Sequence, residues 1–280
     1  MTSCSQSGPN VQLPIVLIAC VAMGCSTADG SMEAIDIGAD HATSCSPTGM
    51  LRTYRITSIH IPTQEDADNS RFTGYNIDSA DSACGIVDLP FGVDNALIEV
   101  AQDLLVAHMV DVQAAIDAAL LCPSGSTTCR PLSLHIEVLG DTDCAIVRLL
   151  GEDDTAEILG WVPANILSDG RVDGALRQAA ITIQPADDGA ASTSLPLFDV
   201  RYGGRTVGSE FQGATIGAYV KQADLPEVLA TLVSYFPEEW DITVEDLQSV
   251  IASNYDQNVD DGSCSGLSFG LTASAVEVAP

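Results

Sequence analysis

From Leu134 onward the chain alternates apolar and polar residues, and that period of two most constrains what it can fold into. Leu134, Ile136 and Val138 fall on one side of an extended backbone, with His135 and Glu137 on the other. This follows because successive strand side chains point to opposite faces. DCAIVRLLG, ALRQAAITIQ, LPLFDVRY and FQGATIGAYV continue the β pattern, separated by GDTD, GEDD, SDGRVDG, PADDGA and GGR. The glycines and aspartates of these separators suit left-handed and Asx-turn backbone. Strands joined by polar turns, without regular helical crossovers, pair antiparallel. The expected fold is mainly β with helical insertions (α+β): an antiparallel β-sandwich-like domain with about three helices.

The other elements fit around this β run. Leu51 to Ile61 (LRTYRITSIHI) is rich in β-branched and aromatic residues and stops at Pro62, so it reads as a first strand. The acidic stretch from Thr63 to Gly85 lacks periodicity and reads as a long surface loop fixed at its far end by Cys84. A helix follows, capped by Asp94 or Asn95, with Leu97, Val100, Leu104, His108, Val112, Ile116 and Leu120 recurring at helical steps. Two later helices are expected near Leu225 to Phe236 and Val244 to Tyr255, the second opened by the Thr243 and Asp246 capping-box spacing. A last strand directs Leu267, Phe269, Leu271 and Ala273 inward.

The N-terminus points to export. Leu13 to Met23 is an apolar run of eleven residues, short of the roughly 20 a membrane-spanning helix needs and suited to a signal-peptide core. It leads into Val21-Ala22-Met23-Gly24-Cys25-Ser26, which resembles a bacterial lipobox, with Cys25 the lipidation site. Residues 1–24 are then the lipoprotein signal peptide, 25–50 a flexible tether, and 51–280 one disulfide-stapled domain. Ser26, by the same resemblance, implies an outer-membrane or cell-surface destination.

Nine cysteines are dispersed without a C-x-x-C pair, which disfavours structural zinc. Removing Cys4 and Cys20 with the leader and lipidating Cys25 leaves six, an even number suited to an oxidising compartment. Cys122 and Cys129 bracket the turn-forming PSGSTT and are expected to pair. Cys45, Cys84, Cys144 and Cys264 admit three pairings, which stay open.

Charge narrows the partners. Thirty-nine acidic residues against ten basic ones give a net charge of −29, a field that repels nucleic-acid phosphates. The membrane partner is reached through lipid, and a protein or small-molecule partner is left open. Gly262-Ser263-Cys264-Ser265-Gly266 has nucleophile-elbow spacing but precedes a strand rather than a helix, so Cys264 reads as a disulfide cysteine. His41, His60, His108 and His135 stand singly. Asp256, Asn258, Asp260 and Asp261 alternate oxygen donors as calcium loops do. Gly262 and Leu267 break the EF-hand register there, so no cofactor is assigned beyond a calcium candidate.

Gly74-Tyr75-Asn76-Ile77-Asp78, Cys84-Gly85, Gly92-Val93-Asp94-Asn95-Ala96-Leu97 and the closing Gly262 to Ser268 segment together resemble the predicted lipoproteins of myxobacterium-type Gram-negative bacteria. The resemblance implies lipid attachment and carries no activity, ligand or catalytic residue. The expected function is a non-catalytic binding or structural module of the cell envelope. The alternatives are a periplasmic or surface hydrolase whose histidine and carboxylates meet only in the fold, and a calcium-stabilised surface adhesion-type module.

Overall fold

A computed structural model of the chain describes residues 49–69, 71, 74–77, 82–84, 86–90, 92–121, 134–142, 144–151, 157–183, 193–233, 241–259 and 262–278. The main strands are β1 (Leu51–His60), β4 (His135–Thr142), β5 (Cys144–Leu150), β6 (Glu157–Ile166), β7 (Arg171–Ile183), β8 (Thr193–Val207), β9 (Glu210–Lys221) and β11 (Cys264–Glu277). Short strands β2 (Ser82–Ala83), β3 (Ile86–Val87) and β10 (Gln257–Asn258) lie in the connections.

The expected sandwich is corrected to a closed barrel. β4 to β9 form a meander in which each strand pairs antiparallel with the next, and β11 joins β9. β1 then pairs with β4 on one side and β11 on the other, closing eight strands, while β10 extends the sheet along part of β11. Alternation shows that one face of each strand is buried, whether against a second sheet or against the far wall of its own. The distinction rests on the pairing of the first strand with the last, such as Ile59 opposite Ala273, which has no local signature.

Inward positions are apolar: Tyr54, Ile56 and Ile59 of β1, Ile136 and Val138 of β4, and Leu197, Val200 and Tyr202 of β8 are all buried. Arg55, Asp173 and Arg177 stand exposed on the outside. β6 is not anticipated by the alternation, because Pro163 lacks a backbone donor and argues against a strand interior. In the barrel Pro163 faces Ile146, and its carbonyl accepts a hydrogen bond from the Tyr202 hydroxyl.

Five α-helices, rather than about three, are present among the described residues: α1 (Gln64–Asp68), α2 (Leu97–His108), α3 (Val112–Leu121), α4 (Leu225–Val233) and α5 (Val244–Ala252). The surface loop from Thr63 to Gly85 therefore contains a helix capped by Thr63, and the β2–β3 hairpin begins at its end. The single helix expected from Leu97 to Leu120 is broken at Met109, whose φ is 56°. Asp111 then starts α3, its carboxylate accepting from the Ala114 amide at 2.9 Å. Thr243 and Asp246 make the anticipated capping box on α5. Residues of α2 to α5 pack on Ile61, Val220 and Leu267 at one end of the barrel. The other end carries the β4–β5, β6–β7 and β8–β9 turns.

Candidate functional site: an apolar chamber and the loop that seals its wall

An eight-stranded barrel is just wide enough for side chains to fill it or for one small molecule to lie inside. Here the interior keeps a cavity of about 80 Å3 bordered by Ile56, Ile136, Leu159, Tyr202, Phe211 and Ala214. A second, of about 110 Å3, lies beneath the helical end among Leu97, Leu104, Val228, Leu247 and Phe269. Leu271 borders both. Among the described residues lining the two cavities there is no histidine and no carboxylate. Arg148 borders the first cavity, but its Nε donates to Glu137 at 2.6 Å and its guanidinium stacks over Trp161. Tyr54 is wholly buried with its ring 5.4 Å from that of Phe211, and its hydroxyl has no hydrogen-bond partner among the described residues.

Glycines in the wall make room for the aromatic rings. A side chain at Gly174 would collide with the Tyr202 ring, and one at Gly204 with the Phe211 ring. This is why Gly203-Gly204-Arg205, expected as a turn, is strand instead. Gly203 serves the outer face, where Tyr75 lies across Gly203 and Gly217 and its hydroxyl shares a 2.6 Å hydrogen bond with Thr215. Burial pushes the Tyr75 phenol up to about 12.

The wall has a seam that the loop before α2 seals. β1 ends at His60 opposite Thr272, so the first half of β11 extends beyond its partner. Open strand edges leave amide and carbonyl groups that must be satisfied elsewhere. The Asp256 amide donates to the Gly266 carbonyl at 3.0 Å. The Asp256 carboxylate accepts from the Ser268 amide at 2.8 Å and from the Ser268 hydroxyl. The Asn95 carboxamide then bonds both the amide and the carbonyl of Gly270, at 2.9 and 3.0 Å. The Ala96 amide donates to the Ser268 hydroxyl at 2.9 Å. Asp94 holds the loop itself by accepting from the Ile77 amide at 2.6 Å. Thus Asn95, expected as an alternative to Asp94 for the cap of α2, seals the barrel edge, and α2 begins after Ala96 without a side-chain cap.

Burial raises the Asp256 carboxyl to about 6, with the nearby Asp94 carboxylate adding to the shift and the Ser268 hydrogen bonds opposing it. Sequence alone marks Asp256 only as part of an acidic turn. The signal that separates it from its neighbours is the strand pairing of Gln257 with Gly266, visible only in the fold.

The remaining sequence candidates fall as follows. Cys84 is disulfide-bonded to Cys264 across 180 positions, which selects among the open pairings and ties the loop to the start of β11. Cys144 is also disulfide-bonded. Cys25, Cys45 and the expected Cys122–Cys129 pair lie outside the described residues. Of the calcium candidates, Asp256 turns both oxygens to Ser268, Asn258 is exposed, and Asp260 and Asp261 lie outside the description. His60 Nε2 donates to the Asp66 carboxylate at 2.9 Å. Burial opposes ionisation of Asp66, yet hydrogen bonds from His60, Thr63 and Arg71 hold its carboxyl well below the usual carboxylate range. That carboxylate is engaged in capping α1. No protein-family model, curated protein or solved structure matches the chain.

Proposed function

We propose that this protein is an exported, lipid-anchored module of the cell envelope that binds without catalysis, taking a small apolar molecule into the barrel. The observation that carries the reading is the pair of apolar cavities meeting at Leu271 inside a closed wall. Binding sites for small molecules are concave and mostly apolar, and the mouths and interiors of barrels are common places for them. Export and anchoring rest on the Leu13 to Met23 run followed by Cys25. The Cys84–Cys264 bond supports export, since disulfides persist in oxidising compartments. The hydrolase reading gains no support from the chamber, whose described lining holds no histidine or carboxylate to pair with its hydroxyls.

Benzene is a suitable first probe, because a dry apolar cavity of about 150 Å3 accepts it in another protein, and the two cavities here, of about 80 and 110 Å3, adjoin at Leu271. Saturating benzene raises the melting temperature of the full chain, as any ligand bound only to the folded state does. Ala214→Leu, which fills the first cavity, removes the rise, and Leu271→Ala, which merges the two, enlarges it. A melting temperature indifferent to benzene in the native chain and in Leu271→Ala would overturn the binding reading.

A further inference from the structure

We infer that the hairpin end of the barrel rests against the bilayer that holds the lipid anchor, an inference that depends on the anchored reading above. Of nine large apolar side chains exposed among the described residues, six surround this one end, Met50, Leu51, Leu167, Val207, Val276 and Val278, while Leu105, Val106 and Met109 lie at the helical end. Backbone pairing makes them neighbours. Val278 donates to Thr53 beside Leu51, Glu277 donates to Ser209 in the β8–β9 turn, and Thr206 donates to Gly170 in the β6–β7 turn that holds Leu167.

Connectivity identifies lipid as what covers this ring, and charge sets the two ends apart. Arg52, Arg171 and Arg205 stand here with Asp169, Asp173, Glu210 and Glu277, and the β4–β5 segment adds Asp141 and Asp143 in sequence. Arg171 and Arg205 are each bonded to Asp169. The helical end instead carries Asp103, Asp111, Glu227, Glu245 and Asp246, and a bilayer surface with anionic lipid repels it. The chain between Cys25 and Gly49 also enters the barrel beside Met50, on the apolar ring itself. Apolar side chains at such a surface insert roughly 5 to 10 Å, to the boundary of headgroups and acyl chains.

The test uses the full acylated protein in phosphatidylcholine vesicles with brominated acyl chains, which quench nearby indole. Val207→Trp and, independently, Leu167→Trp lose about half of their added emission on insertion to that depth, whereas Val106→Trp at the helical end loses none. Quenching equal at both ends, or absent from both hairpin-end reporters on an acylated protein, overturns the orientation and leaves the anchor standing. An unmodified Cys25 on mass analysis overturns the anchor and the orientation together.

Discussion

The ring of Phe211 occupies the space that a side chain on Gly204 would need: a Cβ there would lie 2.3 Å from Cε1. The two residues lie on adjacent strands, and the contact lets an aromatic ring enter the chamber instead of being turned out of it. Gly204→Ala must shift the ring or the strand. Overpacking of this kind costs about 1 to 3 kcal/mol, and urea unfolding is expected to show a lower midpoint with an unchanged slope.

How far the sequence reveals the fold depends on how local each feature is. The capping box at Thr243 and Asp246 and the inward set Leu267, Phe269, Leu271 and Ala273 involve neighbours a few positions apart, and they were legible. Barrel closure was not, because it joins β1 to β11. Gly203 and Gly204 read as turn residues since glycine serves two purposes, and only the positions of Tyr75 and Phe211 show which applies. Asn95 misled for a related reason: the carboxamide that caps helices also completes a strand edge, and the choice depends on where β1 stops. The chamber is a property of the closed wall, so no motif announces it.

The Cys84–Cys264 bond closes a span of 180 residues. In the chain-entropy description a loop of that size is worth about 5 kcal/mol. The double variant Cys84→Ser, Cys264→Ser is expected to lose a large part of that in chemical unfolding. Its loop before α2 also exchanges amide protons faster, Ile77 and Ala96 first, because the seam then depends on hydrogen bonds alone.

Asp256 gives stability a pH dependence of defined sign. Its carboxyl titrates near 6 in the fold and near 3.8 when unfolded, so between these values the folded state holds more protons. Stability therefore falls as pH rises from about 4 to about 6, by on the order of 3 kcal/mol for a shift of this size. Asp66 has the opposite sign, and its contribution is lost as pH falls below about 4. Chemical denaturation across this range is expected to show the decline in the native chain and its absence in Asp256→Asn.

Tyr54 carries a buried hydroxyl without a partner among the described residues. Leaving such a group unpaired costs about 1 to 3 kcal/mol. Tyr54→Phe is therefore expected to raise the melting temperature of the empty protein. Benzene is expected to bind both alike.

The chamber itself is tested most directly by crystallography under xenon pressure. Xenon is expected to occupy the barrel interior on either side of Leu271, beside Phe211 and beneath Leu247. A closed barrel with no xenon density at those two places, or a sheet whose β1 and β11 do not pair, would contradict the account.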